Sequence, residues 1–212
     1  MVFETNRINK ECEMPLTKQA KVLTKKQIEL LARDLRVKRN GLRNETIFLL
    51  SAKGGLRAKE IAELKWIHVL RSDNSIDDFI RLPDSASKGR GGREIPIHHT
   101  IRANLHELFE QRSSESFFDP LTAHVIATER SPRTSAQVIV NLFQRIYRDY
   151  GLSGCSSHSG RRTFITDISR KISMVGGSMR DVQYLAGHSS LQTTQRYVEG
   201  CSESKVKVVS LI

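Results

Sequence analysis

The fold class depends on three short segments in the middle of the chain: Trp66-Ile67-His68-Val69-Leu70, Phe79-Ile80-Arg81-Leu82 and Arg93-Glu94-Ile95-Pro96-Ile97. Their apolar residues form short runs or alternate with polar ones, which is typical of β-strands. The turns between them contain Ser72-Asp73-Asn74 and Lys88-Gly89-Arg90-Gly91-Gly92, residue types that favour tight turns. We therefore predict three short antiparallel strands.

On both sides of this region, apolar residues recur at the spacing of amphipathic helices. A first helix is predicted to begin at Thr24, with Gln27 as its capping-box partner. Two more helices are predicted over about 44–52 and from about residue 58. After residue 100, apolar stripes predict further helices: Ile101, Leu105 and Leu108; Val138, Leu142, Ile146 and Tyr150; and Phe164, Ile168 and Ile172.

Helix-ending and helix-starting residues complete this part of the prediction. Gly151 is expected to end the second of those helices, and Ser178 with Asp181 to open a last helix that Gly187 ends. The predicted fold class is α+β, a mostly helical single domain with a small three-stranded antiparallel sheet.

Charge is the most informative feature of the composition. The 212 residues include 34 Lys and Arg against 23 Asp and Glu, a formal net charge of +11. Residues 1–43 hold eleven basic and five acidic residues. Such an excess favours a polyanionic partner, nucleic acid first and an acidic membrane surface second, although a solvated helix face gives the same local pattern.

Other features of the sequence argue against several classes of protein. No apolar run approaches the roughly 20 residues of a membrane helix, and the N-terminus lacks the plan of a signal peptide, so we expect a cytoplasmic protein. Cys12, Cys155 and Cys201 are odd in number and far apart, unlike a disulfide framework or a zinc site. No carboxylate-rich cluster indicates a metal, and no cofactor is expected.

Three polar clusters interrupt the apolar pattern, and the first is Gly54-Gly55-Leu56-Arg57-Ala58-Lys59-Glu60. Arg57 lies at a loop-to-helix junction, where a guanidinium can bind a phosphate and helix amides add partial positive charge. Glu60, one turn later, could hold that guanidinium. Taken alone, the pair is more typical of a surface i,i+3 ion pair.

The other two clusters contain histidines. In Ser157-His158-Ser159-Gly160-Arg161-Arg162, the i,i+3 spacing places His158 and Arg161 on one helical face. In Leu185-Ala186-Gly187-His188-Ser189-Ser190, Gly187 is expected to leave His188 exposed on a turn. Tyr197 follows nine positions later, and we expect it on a short helix.

Together these clusters resemble the boxes of the tyrosine recombinases, also called the phage integrase family, from about Thr24 to Tyr197. The first box of that family, Gly-Leu-Arg-x-x-Glu, corresponds to 55–60, and its second, His-x-x-Arg, to 158–161. Its third, Leu-Gly-His with a tyrosine nine residues later, corresponds to 185–188 and Tyr197, preceded by a typical Thr-Thr pair. The catalytic lysine of the family, on a hairpin ahead of Arg-x-x-Pro, corresponds to Lys88.

The resemblance implies a site-specific DNA recombinase or integrase that cuts and rejoins strands through a 3′-phosphotyrosine, without metal or ATP. It implies that Tyr197 is the nucleophile, that Arg57 and Arg161 clamp the phosphate, and that His188 is a further donor. Lys88 would be the general acid and His158 the base, with Glu60 in support. Arg90 and Arg162 are candidate DNA contacts, and Arg90 could reach the phosphate in place of Lys88.

The resemblance also implies an organisation. Double-stranded DNA would be the partner, with a homotetramer on paired sites and a possible monomer in the absence of DNA. Residues 1–23 would form a basic arm, 24–200 the catalytic domain and 201–212 a tail that docks on its own domain or on a neighbouring protomer. Gly160 stands where the family has an apolar residue. The N-terminal core-binding domain of the family has no counterpart here, as in a naturally short member or a catalytic fragment.

Two other classes of protein would carry most of these residues. A type IB topoisomerase uses a similar set of side chains but rejoins the same strand, whereas the short chain and the box at 185–190 favour a recombinase. A DNA-binding regulator descended from a recombinase would bind without cutting, but all six catalytic positions are filled here.

Overall fold

The computed structural model describes residues 20–83 and 92–197, together with Ser210. Its α-helices are α1 (Lys25–Arg36), α2 (Gly41–Ala52), α3 (Ala58–Glu63), α4 (His99–Ser113), α5 (Ala136–Asp149), α6 (Ser159–Lys171), α7 (Met179–Ala186) and α8 (Leu191–Gln195). The strands are β1 (Phe79–Leu82) and β2 (Arg93–Pro96), and two short 3-10 helices cover Trp66–His68 and Ile172–Val175. No helix in these ranges is long and apolar enough to span a membrane.

The predicted α+β class is confirmed, but the sheet has two strands in the described residues instead of three. β1 and β2 pair antiparallel, with Ile80 opposite Ile95. The predicted strand at residues 66–70 is wrong. Trp66 is fully buried between Phe109 and Phe118, and its backbone N–H donates to the Ala123 carbonyl, so tertiary packing bends this segment into a 3-10 turn.

Local capping explains why several helices begin and end where predicted. Thr24 accepts from the Gln27 backbone while the Gln27 side chain accepts from the Thr24 N–H, a reciprocal capping box at the start of α1. Ser178 and Asp181 form the same arrangement before α7. Gly187 ends α7 with φ +58°, a left-handed conformation that glycine adopts without steric cost.

Helix α2 lies at the centre of the main hydrophobic core. It packs against α1, α4 and α6, and its Phe48 and Leu50 are fully buried. Helix α5 buries a slightly rotated face relative to the prediction, because Val138 is 49% exposed while Ile139 is completely buried. This shift of one residue does not change the helix assignment.

A second, smaller core forms between α6 and α7, next to the turn after α8. It is built from Ile165, Val182 and Ala186, with Phe164 and Tyr197 packed against it. This small core brings the start of α6, the end of α7 and the turn after α8 together. The start of α3 joins them because Gly55 packs directly on Phe164.

Candidate active site

The loop before α3 carries Arg57 into the site. Gly55 has φ +68°, and a Cβ atom there would lie 2.3 Å from Cδ1 of Phe164, so only glycine fits this turn. Arg57 then forms the N-terminal cap of α3. Its guanidinium donates to Glu60 at 2.7 Å and to the Gly187 carbonyl at 3.1 Å. These contacts hold the guanidinium between α3 and the end of α7.

Glu60 is fully buried and binds two arginines. Its carboxylate accepts from the Arg57 backbone and side chain, and it accepts two hydrogen bonds of 2.9 Å from Arg93. Burial alone would raise the pKa of Glu60, but the hydrogen bonds and charges of Arg93 and Arg57 lower it to about 2. Glu60 is therefore ionised at neutral pH, which supports its predicted contact with Arg57.

Arg161 enters from the first turn of α6 and is 5% exposed. Its two terminal nitrogens donate to the carbonyls of Gly55 and Ala186, so one guanidinium joins the loop before α3 to the end of α7. Burial and the nearby charge of Arg57 lower its pKa to about 9. Arg161 thus keeps its positive charge at neutral pH.

Gly160, next to Arg161, allows α6 to approach α2 closely. A Cβ atom at this position would lie 2.6 Å from Oγ of Ser51 and 3.1 Å from its Cβ. The absence of a side chain therefore lets the two helices pack together at the point where α6 delivers Arg161. This explains why glycine stands where the resemblance would place an apolar residue.

His188 follows Gly187 in the turn between α7 and α8, as predicted, but the expectation that it is exposed is wrong. It is half-buried, because its ring contacts Thr194 and Tyr197. Its Nδ1 lies 2.9 Å from the hydroxyl of Thr194, which is fully buried on α8. Burial, together with the charges of Arg161 and the other arginines nearby, lowers the pKa of His188 to about 4. The ring is therefore neutral at neutral pH.

Tyr197 lies against His188. The two rings stack with centroids 5.4 Å apart and planes 22° from parallel. Tyr197 is two residues beyond the end of α8, in a turn, so the expectation that it lies on the helix itself is wrong; its backbone N–H donates to the Thr194 carbonyl at 3.0 Å. The guanidinium carbon of Arg162 is 5.7 Å from the tyrosine ring centroid, a cation–π distance.

A pocket of about 250 Å³ opens beside the tyrosine. Its lining includes His158, Arg161, Arg162 and Tyr197. His158 is exposed at the N-terminal cap of α6, just before the helix, and it lines the same pocket as Arg161. Arginine, histidine and tyrosine side chains from the second and third boxes thus meet around one opening.

The structure brings together Arg57, Glu60 and Arg161 with His188, Tyr197 and the two pocket residues His158 and Arg162. Lys88 and Arg90 lie outside the described residues, as do residues 1–19, Cys12, Cys201 and all of the tail except Ser210. Within 20–83 and 92–197, no three His, Cys, Asp or Glu side chains group in a way that could hold a metal ion.

Sequence reasoning missed two members of this arrangement. The sequence places Arg93 in a strand and in the Arg-x-x-Pro segment but indicates no role for it in the site, yet it is 3% exposed and bound to Glu60. Arg93 lies two residues before buried Ile95 on β2, so the two side chains share the core-facing side of the strand, and an arginine on that side is a signal that could have found it. Thr194 was noted only as one of a pair of threonines, and nothing local indicates its contact with His188.

The charge balance of this cluster suits an anion. The guanidiniums of Arg57 and Arg93 bind the Glu60 carboxylate, and Arg161 is bound to backbone carbonyls and lies near enough to feel the charge of Glu60. Three positive charges against one negative charge leave the cluster with a net positive excess. Guanidinium groups bind phosphate oxygens in a fork geometry, and a phenol at the edge of such a site is a potential nucleophile. Fold and site together define an arginine-based anion site with a tyrosine beside it.

Comparisons with known proteins show which family has this fold and site. The sequence matches the phage integrase family over residues 21–202, and the chain belongs to that family. It is 26% identical over 168 residues to the tyrosine recombinase XerC of Rickettsia canadensis, covering 79% of this chain and 50% of that protein. It is 27% identical over 179 residues to the tyrosine recombinase XerA of Thermococcus kodakarensis, covering 84% and 58%.

Solved structures show the same fold. A crystal structure of XerA recombinase superposes with a TM-score of 0.69 at 21% identity, over 90% of this chain and 64% of that one. XerH recombinase bound to a palindromic difH substrate gives 0.70 at 18% identity, over 89% and 52%. The chain spans about half the length of the curated relatives it matches.

Proposed function

We propose that this protein is a site-specific DNA recombinase that cuts and rejoins strands through a 3′-phosphotyrosine on Tyr197. The observation that supports this best is the convergence of Arg57, Arg161, His188 and Tyr197 at the end of α7, although they come from three separate parts of the sequence. Membership of the phage integrase family, and relatives named tyrosine recombinases, support the same reaction class.

The proposed step is an exchange of one phosphodiester for another. The phenol oxygen of Tyr197 attacks the phosphorus, the bond to the 5′-oxygen breaks, and a phosphotyrosine forms. His158, which lines the same pocket, takes the tyrosine proton, and Lys88 protonates the leaving 5′-oxygen. Attack by the 5′-hydroxyl of another strand reverses these transfers and releases the tyrosine.

Fixed positive charge is the proposed means of stabilising the transition state. Negative charge accumulates on the non-bridging oxygens during attack, and guanidiniums held by carbonyl and carboxylate partners need little reorganisation to meet it. Arg57 and Arg161 are held in this way. Because the phosphotyrosine conserves the energy of the broken bond, the proposed reaction uses no ATP. Because the two guanidiniums stabilise the charge that a metal would otherwise stabilise, it uses no metal.

The wider assembly is part of the same proposal. Double-stranded DNA is the partner, a homotetramer forms on paired sites, and the reaction takes place in the cytoplasm. Residues 24–200 are the catalytic domain, with the basic arm 1–23 and the tail 201–212 on either side. The basic excess of residues 1–43 contributes affinity for DNA of any sequence, whereas the site arginines stabilise the transition state of cleavage.

Covalent trapping tests this function. Nicked duplexes carrying a library of candidate sites release a short fragment after cleavage, which prevents rejoining and leaves DNA attached to the protein. We expect an adduct with the natural chain and none with Tyr197→Phe or Arg161→Ala. Tyr184→Phe is the matched control, because Tyr184 is an exposed tyrosine on α7 away from the pocket.

Two outcomes would contradict the proposal. An adduct that persists in Tyr197→Phe would exclude Tyr197 as the nucleophile. Relaxation of supercoiled plasmid by the natural chain, with no recombinant product on any paired site, would identify a topoisomerase instead.

A further inference from the structure

Two different contacts hold His188, and they control different parts of the residue. Its backbone is held by Gln183, because the His188 N–H donates to the Gln183 carbonyl at 3.1 Å and the Gln183 side chain donates to the His188 carbonyl at 3.0 Å. Neither bond restrains the imidazole. The ring is instead held by Thr194, whose hydroxyl lies 2.9 Å from Nδ1.

Thr194 also holds the turn that carries Tyr197. It is fully buried, and its backbone carbonyl accepts from the Tyr197 N–H at 3.0 Å. One buried residue therefore contacts the histidine through its side chain and the tyrosine through its backbone. The rings of His188 and Tyr197 stack directly on each other, so both contacts of Thr194 are made to one pair of site residues.

The direction of the hydrogen bond between Thr194 and His188 determines what the histidine can do. A neutral imidazole carries one proton, on Nδ1 or on Nε2. If the hydroxyl donates to Nδ1, the proton is on Nε2 and the ring can donate to a phosphate oxygen. If Nδ1 donates to the hydroxyl, Nε2 presents a lone pair that a negatively charged phosphate oxygen repels.

We propose that Thr194 is a positioning residue that donates to Nδ1 of His188, fixes the Nε2-protonated tautomer, and holds Tyr197 in register with it. This inference rests on the proposed function, since the acceptor for Nε2 is the DNA phosphate. The charges of Arg57, Arg93 and Arg161 keep the ring singly protonated, so one of its two nitrogens can accept a hydrogen bond. The buried hydroxyl of Thr194 has no other hydrogen-bond partner in the described residues, so Nδ1 of His188 is the acceptor for its proton.

Nitrogen NMR on the 212-residue chain without DNA tests the tautomer directly. Long-range proton–nitrogen spectra separate protonated from unprotonated ring nitrogens for each histidine, and a His188→Gln spectrum assigns the signals of His188. We expect Nε2 protonated and Nδ1 unprotonated in the natural chain at pH 7. We expect a mixture of tautomers in Thr194→Val, which removes the hydroxyl at nearly constant volume.

Two further variants separate this role from packing. Thr194→Ser keeps a hydroxyl and should retain the single tautomer. Thr193→Val is the matched control, because Thr193 is the exposed neighbour whose hydroxyl contacts Ser190 instead of His188. On nicked duplex, cleavage by Thr194→Val should fall about tenfold or more at unchanged DNA affinity, while Thr194→Ser and Thr193→Val should stay within about threefold of the natural chain.

Each outcome decides the proposal. A proton on Nδ1 in the natural chain overturns it whether or not Thr194→Val folds, as does an unchanged tautomer in Thr194→Val. A changed tautomer with unchanged cleavage overturns the positioning role. If no variant and not even the natural chain forms an adduct, the proposed function fails, while the spectra still show whether Thr194 sets the tautomer of His188.

Discussion

Arg93 binds both carboxylate oxygens of Glu60 with hydrogen bonds of 2.9 Å, and both side chains are almost completely buried. The two residues are 33 positions apart in sequence, and their contact ties the sheet to the helix that carries Arg57. Since Glu60 also binds Arg57, the position of one site arginine depends on Arg93, the first residue of the Arg-x-x-Pro segment, to which the resemblance assigns no role in the site.

Removing Arg93 should destabilise the protein strongly. Arg93→Met leaves the buried Glu60 carboxylate with Arg57 alone, and breaking a buried pair costs about 3–5 kcal/mol. Urea unfolding measures the free energy of unfolding. Lys59→Met is the control on the same helix, because its ion pair with Glu63 is exposed and should contribute at most about 1 kcal/mol. Equal losses in the two variants would contradict this account.

The stability of the protein should depend on acid through Glu60. Its pKa is about 2 in the folded state against the ordinary 4.5, so its stabilising effect is complete above pH 4.5 and is lost as the pH falls towards 2. The difference in unfolding free energy between the natural chain and Glu60→Gln should therefore shrink by about 3 kcal/mol over this range. Urea titrations at several pH values measure it, and a pH-independent difference would contradict the prediction.

Gly55 should tolerate alanine much less well than Gly151. Both have positive φ values, +68° and +64°, so alanine is strained at either position. A Cβ at Gly55 would also collide with Phe164, whereas a Cβ at Gly151 meets nothing within 4 Å. We expect a loss of about 1 kcal/mol for Gly151→Ala and of about 3 kcal/mol or more for Gly55→Ala, measured by urea unfolding. Similar losses would show that Phe164 moves freely.

The contact between Gly160 and Ser51 should appear as coupling in a double-mutant cycle. Gly160→Ala should cost about 1–3 kcal/mol through overpacking against the Ser51 side chain. Ser51→Ala should cost little, since its buried hydroxyl has no hydrogen-bond partner in the described residues. The double variant should be more stable than the sum of the single effects by about 1 kcal/mol. Strict additivity would mean that the helices separate to accept the methyl group.

Cleavage should occur in cis. Tyr197 stacks on His188 of its own chain and lines the same pocket as Arg161, so the nucleophile and the arginine belong to one protomer. A mixture of Tyr197→Phe and Arg161→Ala chains should therefore form no adduct on nicked duplex. A restored adduct would show that one protomer supplies the tyrosine to the site of another. Each variant alone serves as the control.

Much of the secondary structure was predictable because its causes are local. The capping boxes at Thr24 and Ser178 and the glycine that ends α7 are determined by neighbouring residues, so the sequence predicts these boundaries. The segment at Trp66 has a strand-like pattern, but distant aromatic rings and the Ala123 carbonyl bend it into a 3-10 turn.

The sequence by itself determined which side chains are available for chemistry, since spacing along the chain and the family resemblance identify Arg57, Arg161, His188 and Tyr197. Only the tertiary structure decided how these side chains are held. Arg93 and Thr194 act across distances in space that sequence spacing does not encode, because buried polar groups take whichever partner the packed helices and strands bring within hydrogen-bond reach.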